Sequence, residues 1–326
     1  MKGMILAAGF SERLWPLTAD RTKPALPVLG KPLVGYVAEY LASFGIKDLL
    51  VNLHHEPDSV RRALGEGSDF GVHLEYVHEP VILGTSGALD NARAFLEGET
   101  FAVVSGKLIT NLDLNAALAQ HRAQNALATM VLKRNPGRDR FSIVETRDGL
   151  VTHFAGMPSA TQPSAAETPL MFASIQIIEP RIFDYIPRGV FSDTVRDVYP
   201  QAIAKGERIV AHVAEGMWFE LSTLQRYLDI SLALLRQQGR ALYTGRHASI
   251  DPQADVRDSI LWDDVSIERG AAVRRAILGD RVRIPAGEIV ENCVVVRNDI
   301  IAGKPKPSKA LTGETRGENF VVPLSQ

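Results

Sequence analysis

Apolar and polar positions alternate with two different rhythms along the chain. Over the first 240 residues, short apolar runs alternate with stretches of helical spacing. Met4–Ala8, Asp48–Leu53, Val72–Val77 and Thr100–Ser105 predict buried strands. Leu33–Phe44, closed by Gly45, together with Ser59–Leu64 and the segment from Gly84 to about Leu96, predict helices. Strands and helices taking turns over the first 105 residues imply a mostly parallel α/β sheet. Further helices are predicted over Leu114–Ala123, Pro180–Ile186, Ser192–Lys205 and Thr223–Arg236, and strands over Ala126–Lys133 and Met171–Ile178. Ser192 or Asp193 is placed to cap its helix.

After residue 240 the rhythm changes. Ile250, Ile267 and Ile284 are 17 apart, as are Val256, Val273 and Val290. Ile260-Leu261, Ile277-Leu278 and Val294-Val295 keep the same period. Aliphatics recurring about every six residues predict a parallel β-helix of about three coils, one side a residue short. The expected division is 1–240, a β-helix over 241–302, and a tail over 303–326. Cys293 is expected near the coil interior. The tail is rich in Pro, Lys and Gly but ends apolar, from Phe320 to Leu324, so it is expected to dock on the first domain or on another subunit. The open end of so short a β-helix bares unpaired backbone, which predicts a homo-oligomer.

Composition narrows the class. The chain has 326 residues, a formal charge of −2 and 45% apolar residues, enough for one large or two modest domains. No apolar run approaches the roughly 18 residues of a membrane span. A single cysteine excludes an intrachain disulfide and any Cys-based metal cluster. These features predict a cytoplasmic protein with neither membrane nor nucleic-acid partners. His54-His55-Glu56 follows a strand, where adjacent histidines point to opposite faces, so a surface turn is the simpler reading than a metal site.

The candidate chemistry lies mainly in residues 4–35. Leu6, Ala7, Ala8 and Gly9 end a strand in a tight loop, and Gly9 lacks the Cβ that would keep a ligand from the backbone. Arg13 and Lys23 follow, on a loop stiffened by Pro16, Pro24, Pro27 and Pro32. Bared N–H groups with two cations suit a polyphosphate, although a proline-rich surface loop with two solvated cations would read the same way locally. Leu83-Gly84-Thr85-Ser86-Gly87 opens a helix with small residues, which either let a flat ring lie on the backbone or simply start the helix.

The whole run closely resembles the signature of the sugar-1-phosphate nucleotidyltransferases, with matches at Leu6, Ala7, Gly9, Arg13, Leu14, Pro16–Thr18, Lys23, Pro24, Pro27, Val28 and Gly30–Leu33. It departs at Ala8, Ser11, Glu12 and Thr22, where the pattern has Gly, Gly, Thr and Pro. The resemblance implies a Rossmann-like α/β domain of the nucleotide-diphospho-sugar transferase type, followed by a hexapeptide-repeat left-handed β-helix. It implies that a nucleoside triphosphate and a sugar 1-phosphate are joined into an NDP-sugar with release of pyrophosphate. Arg13 and Lys23 would steady the α-phosphate, and Gly84, Thr85 and Ser86 would contact the base.

The resemblance also marks changes. Gly106-Lys107 aligns with a Gly-Asp pair whose Asp holds Mg²⁺. Lys107 reverses that charge, and two unit charges about 4 Å apart interact by roughly 4 kcal/mol at an effective dielectric of about 20. Lys107 would therefore repel a metal and attract phosphate, taking a catalytic role with Mg²⁺ dependence weakened or lost. Glu220 stands for the second metal-binding Asp. At the implied sugar-binding positions the chain has Ser142, Gly156 and Ser174, with Met157 in place of a Lys that grips the sugar phosphate. Because these changes fall together while the triphosphate loop is kept, a catalytically impaired, nucleotide-sensing paralogue is the alternative. Hexad β-helices also carry acyltransferases, but His247 precedes the coils and leaves no evident base there.

Overall fold

The computed structural model describes residues 1–137, 143–154 and 168–324. The chain divides into two compact units. The first comprises residues 1–8, 34–57 and 64–218, and the second residues 9–33, 58–63 and 219–326. The Gly9–Leu33 loop thus packs with the C-terminal part of the chain.

The first unit is built on one sheet of nine described strands: β1 Lys2–Leu6, β2 Asp48–Leu53, β3 His73–His78, β4 Phe101–Ser105, β5 Ala128–Arg134, β6 Ile143–Arg147, β7 Leu150–Phe154, β8 Leu170–Ile178 and β9 Ile209–Val213. Their order is β3-β2-β1-β4-β8-β5-β9-β7-β6, and β6 also pairs with β8. The first four strands are parallel, as their alternation with helices predicts. The rest is mixed, a departure from the mostly parallel expectation: β9 runs parallel to β5. β8 runs antiparallel to both β4 and β5, and β7 antiparallel to β9. One further reversal is a turn that the apolar pattern does not register. Asp148 and Gly149, with φ of 52° and 76°, make a two-residue hairpin turn between β6 and β7.

The helix predicted from Gly84 to Leu96 is two pieces, Gly84–Asn91 and Arg93–Leu96. Asp193 rather than Ser192 is the cap of its segment, accepting from the N–H groups of Val195 and Arg196 at 3.0 and 3.1 Å. One side of the sheet packs an apolar core in which Phe101 stacks on Phe183 and Phe154 on Tyr199.

In the second unit the 17-residue period is the rise of one coil. Ile250 pairs with Ile267 and Ile267 with Ile284, Val256 with Val273 and Val273 with Val290, and Ile260 with Ile277 and Ile277 with Val294, all in parallel. The inward aliphatics and Cys293 form a buried core. Burial pushes the Cys293 thiol up to about 12. The tail covers one of the three sheets at the expected open end, while Arg283–Ile284 and Ile289–Glu291 remain the last strands of theirs. Asn319–Pro323 lies antiparallel on Cys293–Arg297, and Glu314–Arg316 pairs with it in turn, so this edge of the last coil is covered by the chain itself. The tail also reaches the Gly9–Leu33 loop: Lys304 Nζ donates to the Ala19 carbonyl at 2.6 Å, and Phe320 meets Trp15 edge-on with centroids 5.4 Å apart. The loop is fastened further by Arg21, which donates to Asp280 at 2.7 Å and lies over the Trp262 ring.

Candidate active site

In the first unit, a buried polar chain begins where β1 ends. The Ala7 N–H donates to Asn52 Oδ1 at 2.8 Å, Asn52 Nδ2 donates to Glu79 Oε1 at 2.7 Å, and Glu79 Oε2 accepts from the Leu83 N–H at 3.1 Å. Asn52 and Glu79 are 3% and 1% exposed, so these bonds stand in for water that the groups have lost. The chain sets the spacing of two segments that the motif reading marks for nucleotide, the end of β1 and the start of the Gly84 helix. His54 takes part as well, its Nδ1 lying 2.7 Å from the Glu79 carbonyl.

The small residues of Gly84–Gly87 answer to another backbone. A Cβ on Gly84, whose φ is +76°, would meet the Ser192 carbonyl oxygen at 2.4 Å, and one on Gly87 the Val190 oxygen at 2.8 Å. Ser86 is fully buried, its N–H on the Ser192 carbonyl and its hydroxyl on the Ser192 hydroxyl at 2.8 Å. The Thr85 hydroxyl donates to Asp193 and accepts from the Thr194 N–H at 2.8 Å. Smallness in this stretch is required by the close passage of Val190–Ser192.

Beside these segments lies a cavity of about 540 Å³. Leu6, Thr85, Lys107 and Ser174, four of the predicted site residues, line it together. Gln176, Asp193, Arg196, Phe154 and Phe172 also line it and carry no motif that would mark them. Gly106, between the lining residues Ser105 and Lys107, donates its N–H to the Leu6 carbonyl at 2.9 Å. Ser174 has φ of 59°, at a break in the β8–β5 register. The left-handed backbone accounts for the glycine that the family pattern prefers there. Ser142 and Gly156, like Met157 and the small-residue loop around Ala160, lie outside the described residues.

In the second unit, Arg13 and Lys23 line one cleft of about 240 Å³ with Phe10, Ser11, Glu12, Ser222 and Lys309. Ser11 organises the loop. It too is left-handed, with φ of 61°, and its hydroxyl accepts from the Lys23 N–H at 3.1 Å and lies 3.3 Å from the Thr22 hydroxyl. The Thr22 N–H donates to Ser59 Oγ at 3.1 Å, a bond that the proline of the family pattern would forbid. Two departures from the pattern, Ser11 and Thr22, therefore support each other. Gly9 borders open space, for a Cβ there would meet nothing within 4 Å.

Two family models match the chain: Nucleotidyl transferase over residues 2–237, and the GlmU-like C-terminal hexapeptide over residues 242–297. The chain belongs to the nucleotidyl transferase family. It is 28% identical to a UTP–glucose-1-phosphate uridylyltransferase of Synechocystis, over 82% of this chain and 72% of the relative. It is 32% identical to an N-acetylmuramate alpha-1-phosphate uridylyltransferase of Neisseria meningitidis, over 69% and 95%. It is 27% identical to a mannose-1-phosphate guanylyltransferase of Mycobacterium tuberculosis, over 82% and 81%. Its fold is also that of HddC from Yersinia pseudotuberculosis complexed with GMP-PN, with a TM-score of 0.61 at 19% identity, over 72% of this chain and 99% of that one.

The family generally uses Mg²⁺. Of the two positions where the resemblance implies metal-binding carboxylates, one holds a cation, Lys107, which lines the cavity, and the other keeps an acid, Glu220, which is buried. Among the described residues no group of three or more His, Cys, Asp or Glu side chains is placed to hold a metal ion, and Mg²⁺ needs no such group, since one or two carboxylates together with substrate phosphates suffice. Nor is any described helix long and apolar enough to cross a membrane.

Proposed function

We propose that the chain joins a nucleoside triphosphate to a sugar 1-phosphate, giving an NDP-sugar and pyrophosphate. An oxygen of the sugar phosphate attacks the α-phosphorus. A new P–O bond forms as the bond from that phosphorus to the oxygen bridging the β-phosphate breaks, and pyrophosphate leaves with the electron pair. No proton has to move, because the attacking oxygen is already anionic. The demand on the protein is positioning and positive charge at oxygens that gain electron density.

The observation that carries this reading is that Arg13 and Lys23, ten residues apart in a motif the family shares, line one cleft. Both are assigned to the α-phosphate. Lys107 is assigned to phosphate charge where relatives place a metal carboxylate, so turnover depends only weakly on Mg²⁺. The relatives' names span uridylyl and guanylyl transfer, so the base is left open. On this reading the coils wind left-handed, and the protein works as a cytoplasmic homo-oligomer.

Pyrophosphate release across pairs of ATP, GTP, UTP or dTTP with sugar 1-phosphates tests it. One pair is expected to release pyrophosphate, with Arg13→Ala and Lys23→Ala each lowering kcat/KM by about 100-fold. Nucleotide binding without release from any pair would sink the enzyme reading and favour a nucleotide sensor.

A further inference from the structure

Resting on that reading, we propose that Lys309, on the C-terminal tail, is a third phosphate-binding cation and grips the β- and γ-phosphates that depart as pyrophosphate. Lys309 lies 286 positions beyond Lys23, yet both line the same cleft with Arg13. The tail is fixed to this loop on either side of Lys309, through the Lys304 bond to the Ala19 carbonyl and the Phe320 contact with Trp15. Lys309 itself sits in a turn closed by the Ala310 N–H on the Pro307 carbonyl at 3.1 Å. Its backbone is therefore held at the rim while its ammonium swings on a flexible stem.

Charge points the same way. Lys309 Nζ is 3.8 Å from Glu12 Oε2, beyond hydrogen-bond reach, and its side chain is 71% exposed. A pair of that kind holds the ammonium loosely, because exposed ion pairs contribute little. Glu12 Oε2 is buried and has no hydrogen-bond partner. Left alone, that carboxylate would oppose a polyphosphate. Lys309 offsets it, and the charged groups of the cleft become three cations against one anion. With Arg13 and Lys23 assigned to the α-phosphate, the remaining cation falls to the phosphates beyond it.

Calorimetric titration of the full chain with pyrophosphate, and separately with a nucleoside monophosphate, tests the assignment. Lys309→Ala is expected to weaken pyrophosphate binding about tenfold at low salt and to leave the monophosphate within about twofold. Lys309→Arg should recover most of the loss. Lys306→Ala removes a tail lysine that bonds Thr312 and should change neither. Equal losses for both ligands would mark Lys309 as structural, and a result matching Lys306→Ala would give it no role; either overturns the proposal. If Arg13→Ala and Lys23→Ala leave monophosphate binding intact, the reading of the cleft itself fails. If they weaken it and Lys309→Ala leaves pyrophosphate binding unchanged, only the role of the tail falls.

Discussion

Asn52 Nδ2 donates to Glu79 Oε1 at 2.7 Å in a site closed to water, and the same amide accepts the Ala7 N–H through its oxygen. One side chain thus ties the end of β1 to the carboxylate that holds the Leu83 N–H. Asn52→Ala would strand a buried carboxylate oxygen and a main-chain donor. A loss of about 2–3 kcal/mol in unfolding free energy is expected by denaturant titration. Affinity for the nucleotide should fall as well, because the two marked segments lose their common anchor. Unchanged affinity in a destabilised variant would make Asn52 a purely structural residue.

Ser174 and Ser11 share a conformation that L residues seldom adopt, with φ near 60° in both. Their substitutions should nevertheless diverge. Ser174→Gly relieves a left-handed cost of about 1–2 kcal/mol, less about 0.5–1 kcal/mol for the freer unfolded chain, so thermal stability should rise slightly. Ser11→Ala keeps the strain and loses the acceptor of the Lys23 N–H, so it should cost about 1 kcal/mol. Paired melting curves read both changes, and a fall in midpoint for Ser174→Gly would count against the strain argument.

Lys107→Asp restores the carboxylate of the family pattern within the cavity of the first unit. If Lys107 stands in for charge that relatives take from a metal, this variant should show steeper Mg²⁺ dependence and be at least about tenfold slower than wild type at low Mg²⁺. A wild-type enzyme already strictly dependent on Mg²⁺ and indifferent to Lys107→Ala would remove that role.

Acid should loosen the loop of the second unit. Burial alone would raise the Asp20 carboxyl, but the hydrogen bond and charge of Arg21, a bond to its own backbone and the charge of Lys304 outweigh it and hold the group below its usual value. A carboxylate with a depressed folded pKa adds its full stability above its unfolded value, near 4, and loses it as pH falls through the folded value. Tryptophan fluorescence followed from pH 7 downwards should therefore report loosening below about pH 4. Asp20→Asn should flatten that acid limb, and an unaltered limb would assign the transition to other groups.

Most of this architecture could be read from the residue pattern, for reasons that differ by region. The coils were legible because every 17th residue repeats the same inward position, and the pairing of Ile250, Ile267 and Ile284 follows that spacing. The parallel half of the sheet was legible because its strands alternate with helices. The hairpin of β6 and β7 was not, since Asp148-Gly149 is a short turn signal without apolar periodicity. Leu6, Thr85, Lys107 and Ser174, marked by separate motifs, line one cavity. Asn52 carried a faint mark, a polar residue inside the apolar strand Asp48–Leu53, and Glu79 another, an acid directly before Pro80. Lys309 carried none, because a lysine in a tail already rich in lysine looks solvated until a fold brings it to a cleft.

The packing of Phe320 on Trp15 joins positions 305 residues apart. During synthesis the early loop leaves the ribosome long before its aromatic partner exists. That contact can form only after translation has run past residue 320, so the surroundings of an early motif are among the last to be completed.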